Sequence, residues 1–297
     1  MIDFQGRAAV VTGAGAGIGR AYAMELARRG AAVVVNDIGR TEDGQFCADA
    51  VVDEIRAAGG QAAASHASVA TMAGGQKIVQ KALDRFGRLD ILINNAGILR
   101  DRTFMKMTEQ EWDAVINVHL KGAFCVTQPA VRQMKQQQYG RVVFTASTSG
   151  MYGNFGQSNY GAAKMGIIGL MHTLKLEVAR YGIQVNTVAP NADTGMTRGV
   201  FPEDVARRIR PQFNVPLVVY LCSEQNPVSG MVFAMSAGWF ARSAMVSGKG
   251  ICIGDAERSI AAEEIQDRFD EICAIDRVRE FGTCGEVYSL GRPLTGR

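Results

Sequence analysis

The stretch Ala8-Ala-Val-Val-Thr-Gly-Ala-Gly-Ala-Gly-Ile-Gly19 decides the fold. Residues 8–12 form an uncharged, mostly apolar run that reads as a strand buried on both faces. Glycines follow, and residues 18–29 then read as a helix that Gly30 stops. A strand, a glycine turn and a helix in this order cradle phosphate. Glycine lets the backbone approach a pyrophosphate, and the helix N-terminus offers unpaired N–H donors. The strict Gly-x-Gly-x-x-Gly spacing is absent; Gly13, Gly17 and Gly19 stand as Gly-x-x-x-Gly-x-Gly. With 34 glycines in 297 residues, a fixed trio arises somewhere with a probability of about 0.4. Its place between strand and helix near the N-terminus is therefore what gives it weight.

The alternation continues along the chain. Apolar runs at 32–36, 62–65, 89–94, 141–145, 184–189 and 231–235 predict further strands. Helices are predicted over 46–58, 73–86, 108–137 and 159–181, the third opened by a capping-box sequence, Thr108-Glu-Gln-Glu111. Continuous apolar strands separated by helices predict an α/β fold, a doubly wound, Rossmann-like parallel sheet covered on both faces. One such domain is expected over residues 1–242, followed by a C-terminal extension, 243–297. Ile265, Phe269 and Ile272 lie four and three residues apart. They predict a short helix over 261–274, packed on the same domain or on a partner subunit.

Two constellations carry chemistry. Asp37 ends the second strand, eighteen residues after Gly19. A carboxylate there accepts the ribose hydroxyls of NAD and repels a 2′-phosphate; the plain alternative is a turn aspartate. Arg40 stands close by as a possible counterweight favouring NADP. The second constellation is Ser147, Tyr160 and Lys164. Tyr160 and Lys164 are one helical turn apart, so they share a face. An ammonium beside a phenol favours the phenolate, and a serine hydroxyl holds an alcohol or carbonyl oxygen, so the trio fits acid/base chemistry at an alcohol or ketone. With 7 Tyr and 8 Lys, a chance Tyr-x-x-x-Lys has a probability of about 0.2, so the pair needs the rest of the chain to support it.

Composition excludes other classes. Hydrophobic residues make up 47%, charged residues 21%, and the net charge of +3 is dispersed, which fits a globular protein and not a nucleic-acid binder. No run of 18 apolar residues spans a membrane. Residues 1–5 have no signal-peptide character and the C-terminus is not Ser-Lys-Leu. The six cysteines form no Cys-x-x-Cys pair and flank no histidine at ligand spacing, so no metal site is expected. A reducing cytoplasm is the expected location.

Thr12-Gly-x-x-x-Gly-Ile-Gly19, Asn94-Asn-Ala-Gly97 and Ser147…Tyr160-x-x-x-Lys164, in this order, resemble the short-chain dehydrogenase/reductase family. The resemblance implies seven strands ordered 3-2-1-4-5-6-7. It implies Tyr160 as proton donor and acceptor, Ser147 as anchor of the substrate oxygen, and Lys164 as ribose ligand and modifier of the phenol. Gly13, Gly17, Ile18, Gly19 and Asp37 would hold the dinucleotide. Ser68 and Val69 would face adenine, and Asn95, Ala96 and Gly97 would line the nicotinamide ribose. Ala192 and Thr194 complete the expected cofactor contacts.

Val35-Asn-Asp-Ile-Gly39, Asn95-Ala-Gly-Ile-Leu-Arg-Asp-Arg102, Tyr152-Gly-Asn-Phe-Gly-Gln157 and Ala189-Pro-Asn-Ala192 narrow the likeness. They are similar to the (3R)-hydroxyacyl-CoA dehydrogenase domains of type 2 multifunctional enzymes, a branch that includes 17β-hydroxysteroid dehydrogenases; here a single-module version is expected. His119 stands where many family members carry a helix asparagine, either carrying a relay water or packed as an ordinary helix histidine. The expectation is an NAD-dependent dehydrogenase acting on an acyl-CoA or a steroid, a homodimer without nucleic-acid or membrane partners. A 3-oxoacyl-acyl-carrier-protein reductase is the close rival, and Asp37 argues against its usual NADPH. A non-catalytic nucleotide sensor would be expected to lack part of the trio, and all three residues stand.

Overall fold

The computed structural model describes residues 1–195, 202–254 and 258–288. It divides into two compact units, Met1–Arg242 and Ser243–Arg297.

The first unit is built on a sheet ordered β3-β2-β1-β4-β5-β6-β7-β8. Its strands are β1 Ala8–Thr12, β2 Ala32–Asn36, β3 Gln61–Ser65, β4 Ile91–Asn94, β5 Gly140–Thr145, β6 Ile183–Asn191, β7 Val232–Ser236 and β8 Trp239–Ser243. The first seven are parallel, with Val10 paired to Val34 on one side and to Leu92 on the other. Seven strands were expected; β8 is the eighth. It follows β7 through Ala237 and Gly238, with φ of +50° and +82°. Two consecutive left-handed residues make the tight turn that suits a hairpin, so β8 folds back at the edge.

The helices cover both faces because successive strand residues point opposite ways. Ala9 and Val11 of β1 pack with Leu26 of α1 (Gly17–Arg28), Ile55 of α2 (Cys47–Ala57) and Val219 of a later helix, Val215–Cys222. Val10 packs on the other face, with Ile78 of α3 (Met72–Phe86) and residues of the two long helices described next.

The predicted helix 108–137 is present but not uniform. α4 (Glu109–Ile116) runs through a π-helical turn, Asn117–Lys121, into α5 (Gly122–Gln137). The capping box is formed: Glu111 N–H donates to Thr108 Oγ1 at 3.2 Å, and Thr108 N–H to Glu111 Oε2 at 3.0 Å. A π turn rotates the residues after it relative to a regular helix, and it places His119 in the interior. Within α5, Pro129 has no N–H for the Cys125 carbonyl. Gly75 of α3 packs against that carbonyl, where a Cβ would fall 2.0 Å from the oxygen.

After β5 come α6 (Thr148–Tyr152) and α7 (Ser158–Val178), then α8 (Glu203–Ala206) and α9 (Val215–Cys222). The second unit pairs β9 (Val246–Gly248) with β10 (Val278–Glu280) and holds α10 (Ala262–Asp267), α11 (Phe269–Cys273) and α12 (Cys284–Tyr288). The single helix predicted over 261–274 is broken at Arg268, which leaves the helical conformation at φ −118° and ψ 17°. Ile265, Phe269 and Ile272 are exposed. No helix among the described residues is long and apolar enough to cross a membrane.

Candidate active site

The strand order reverses at β1, whose neighbours are β2 and β4. The loops leaving β1 and β4 therefore diverge and open a crevice at the carboxyl end of the sheet. Gly13 and Gly17 line it with φ of +62° and +55°, a backbone that L side chains rarely adopt. A Cβ on Gly13 would lie 2.6 Å from Ala96 Cα, and one on Gly19 would lie 2.2 Å from Gly13 O. The predicted glycines thus bring the turn against Ala96 and let α1 close on its own loop. Ala16 caps α1 without a side-chain hydrogen bond. The first N–H groups of a 12-residue helix are left for an anion, which is the fit a pyrophosphate requires.

The side chain of Asn95 holds the glycine turn: its Nδ2 donates to Thr12 O at 3.1 Å and Gly13 O at 3.0 Å. Buried Thr12 completes the clasp: its Oγ1 accepts the N–H groups of Asn95 and Ala96 at 3.0 and 3.1 Å. Thr12 was quoted in the motif but given no role.

Asp37 is half-buried at the end of β2. Its Oδ2 accepts Gly15 N–H at 2.9 Å and its Oδ1 accepts Gly39 N–H at 2.7 Å. Gly15 was not among the predicted cofactor residues, yet it joins the turn to the carboxylate. Each carboxylate oxygen keeps a further lone pair for a ribose hydroxyl. Thr194 reaches the same turn from beyond β6, with its Cγ2 3.3 Å from a Cβ built on Gly17. Ala192 beside it is buried. Ser68 is exposed after β3, and its Oγ accepts Ala70 N–H at 3.2 Å. Val69 is buried, its side chain packed in the core against Gly122.

Ser147, Tyr160 and Lys164 come together where β5 ends against α7. Ser147 caps α6, its Oγ accepting Ser149 N–H at 3.1 Å, and its hydroxyl acts on the Tyr160 phenol by lowering its pKa. Lys164 is buried and donates to Thr145 O at 2.5 Å, with Nζ 5.4 Å from the centre of the Tyr160 ring. Asn159, fully buried, fixes the start of α7: its Nδ2 donates to Arg100 O and Glu111 O at 3.0 and 3.2 Å. No sequence pattern marked it.

The electrostatics correct one expectation. Lys164 was expected to lower the phenol. Burial instead raises Tyr160 above its ordinary value, against the opposing Ser147 hydrogen bond, and the Asp101 charge adds to the rise. Burial also pushes Lys164 down to about 7. Burial disfavours the charged form of each group, and it sets both directions.

His119 is buried on the π turn, its ring edge-on to Tyr160 with centroids 5.2 Å apart. Nε2 faces the Ile98 backbone, 2.8 Å from O and 3.0 Å from N. Gly97 makes room, since a Cβ there would lie 2.4 Å from His119 Cε1. Burial, and then the Lys164 charge, push His119 down to about 3, so the imidazole is neutral. A cavity of about 10 Å³ is lined by His119, Lys164, Thr145, Thr12 and Asn94 among others, space for a single water. His119 Nδ1 and Thr145 Oγ1 are buried without a protein partner.

The loops after β4 and α6 are tied together: Arg102 N–H donates to Gly156 O at 2.8 Å and Gln157 Nε2 to Asp101 Oδ2 at 2.8 Å. Phe104, Met105, Tyr152 and Phe155 are exposed on these segments. The sequence also places apolar residues over 196–211, of which 196–201 lie outside the described residues.

Residues 7–204 match the short chain dehydrogenase family. Peroxisomal multifunctional enzyme type 2 of Drosophila melanogaster is 46% identical over 291 residues, which cover 96% of this chain and 48% of that protein. A solved structure of the full-length Drosophila enzyme superposes with a TM-score of 0.85 at 40% identity, over 99% of this chain and 50% of that one. A hydroxyacyl-CoA dehydrogenase of Mycobacterium tuberculosis is 43% identical over 250 residues, 78% of this chain and 77% of that protein. The chain thus spans about half the length of the Drosophila relative it matches. With the glycine turn, the Asn95 clasp and the Ser147–Tyr160–Lys164 site in one crevice, the chain belongs to the short-chain dehydrogenase family.

Proposed function

We propose that the chain oxidises the 3-hydroxyl of a (3R)-hydroxyacyl-CoA, with NAD as its nucleotide. The nicotinamide nucleotide supplies the hydride acceptor. Ser147 holds the substrate oxygen, and the Tyr160 phenol takes the hydroxyl proton. Lys164, beside the ring, balances the negative charge that forms on the phenol oxygen. His119 stays neutral and shares with Lys164 a cavity sized for one water, through which a proton can pass away from the lysine.

The observation that carries the NAD assignment is Asp37, whose carboxylate is fixed by Gly15 and Gly39 where a ribose 2′-position would lie. A 2′-phosphate would meet that charge unpaired. The exposed apolar residues Phe104, Met105, Tyr152 and Phe155 and the names of the relatives support an acyl-CoA. A 17β-hydroxysteroid is the second reading, favoured by the same apolar residues. A 3-oxoacyl-acyl-carrier-protein reductase fits less well, because Asp37 disfavours NADPH. Initial rates with both nucleotides on 3-hydroxyacyl-CoAs of graded length and 17β-hydroxysteroids test the proposal. Turnover of (3S)- but not (3R)-hydroxyacyl-CoA, or of steroids alone, would overturn it.

The same reading includes a homodimer. Phe124 on α5 and Met165 and Leu176 on α7 are exposed, and Gly169 has open space where a Cβ would stand. That apolar face suits a second copy related by a two-fold axis. The location proposed is the cytoplasm, a reducing compartment in which the six cysteines stay as thiols. A fluorescent fusion seen in another compartment overturns that assignment.

A further inference from the structure

Beside the nucleotide crevice stands a three-layer stack that the chemistry above does not use. The Arg40 guanidinium lies 3.6 Å from the centre of the Phe46 ring. The His66 ring lies 3.8 Å from the same centre, 9° from parallel. Two groups so close to one ring centre cannot share a face, so Phe46 is held between them. Arg40 Nη1 also donates to Gly44 O at 2.6 Å. Backbone contacts fix the loop: Arg40 and Phe46 form an antiparallel bridge, and Cys47 N–H donates to Gly39 O at 3.0 Å. His66 is held in turn, with Nε2 3.0 Å from Asp49 Oδ1.

Arg40 follows Asp37 by three residues, on the loop whose Gly39 N–H binds the Asp37 carboxylate. An arginine there has the geometry to pair with a 2′-phosphate, and its charge would oppose the discrimination that Asp37 provides. In this chain the guanidinium face is taken by an aromatic ring and one of its donors by a carbonyl. We propose that Phe46 and the Gly44 carbonyl hold Arg40 away from the ribose, so that the stack is a specificity device which withholds this cation from NADP. The inference rests on the NAD assignment above. Arg40 and Phe46 are positioning residues; neither is required for the proton or hydride step. The contact is exposed on the arginine side, so its effect belongs to the modest range of surface cation–π pairs.

The test is calorimetric titration of NAD and of NADP, which needs no substrate, on the wild type, Phe46→Ala, Phe46→Leu, Arg40→Ala and the double variant Phe46→Ala/Arg40→Ala. Phe46→Leu keeps an apolar cover over His66 while removing the aromatic face, so folding and arginine release are separated; melting curves confirm both variants. Release of Arg40 lowers the Kd for NADP about three- to tenfold in both Phe46 variants, with NAD changed less than about twofold. Arg40→Ala alone leaves the NADP to NAD ratio as in the wild type, and the double variant returns to it. An unchanged NADP Kd in the folded Phe46 variants, or a gain that survives removal of Arg40, overturns the inference. Tighter binding of NADP than of NAD by the wild type would instead overturn the Asp37 assignment, and an Arg40-dependent gain in the Phe46 variants would still stand.

Discussion

The carboxylate of Asp37 accepts the backbone N–H of Gly15 at 2.9 Å. The side chain proposed to meet the ribose therefore also fastens the glycine turn proposed to hold the phosphates. Asp37→Ala removes both, whereas Asp37→Asn keeps an oxygen acceptor for one backbone N–H. Asp37→Ala is expected to weaken NAD binding on the order of tenfold, with Asn between it and the wild type. NADP gains little from the alanine variant, because the phosphate turn loosens as the repulsion goes. Titration of both nucleotides checks this; a clean switch to NADP in the alanine variant would show that the Gly15 bond is unimportant.

Tyr160→Phe keeps the ring that meets His119 edge-on and removes the hydroxyl proposed to exchange the proton with substrate. Turnover is expected to fall by about 10²–10⁴-fold, while the Kd for NAD stays close to that of the wild type. Substantial residual rate would point to another base at the site.

His119 is held near 3 by burial, so it does not ionise in the working range. His119→Asn should lower kcat without removing an ionisation near neutrality from the pH profile, and His119→Ala should lower it further, on the order of tenfold. A histidine that only packs would instead show equal loss of melting temperature in both variants and no preference for Asn in kcat.

Lys164 is held at about 7, below the roughly 10.4 of an unfolded chain. Between those values the unfolded chain binds a proton that the folded chain does not, so stability rises with pH across that window. From pH 7 to 9 this group contributes up to about 2 kcal/mol of added stability to the nucleotide-free protein. Lys164→Met should flatten the rise in melting temperature; a variant with the wild-type slope would show that the lysine stays charged when buried.

Met165→Glu with Leu176→Glu places charge on the exposed face of α7. If that face joins two copies, the double variant becomes a monomer by light scattering at micromolar concentration, where the wild type is a dimer. A wild-type monomer, or a variant that stays dimeric, places the interface elsewhere or removes it.

Much of this molecule was legible in one dimension. The apolar runs at 8–12, 32–36 and 141–145 are strands because a strand buried on both faces needs no polar residue, and each fell within about a residue of the observed bounds. Gly13, Gly17, Tyr160 and Lys164 were legible for the same reason: a positive φ demands glycine, and a helical turn fixes which side chains share a face. Local chain geometry dictates these features, and local geometry is written in neighbouring residues. What stayed hidden depends on segments far apart in sequence. Asn95 turning its amide onto Gly13, Val69 turning into the core, and Asn159 tying α7 to Arg100 and Glu111 follow from which strands and helices lie side by side. The downward shift of Lys164 and the upward shift of Tyr160 come from burial, a property of the packed chain that spacing along one helix does not contain. The sequence by itself determined the parallel strands, the glycine turn and the helical spacing of Tyr160 and Lys164. Tertiary structure alone decided which of them meet, because desolvation and hydrogen-bond partnership exist only once distant segments have closed around them.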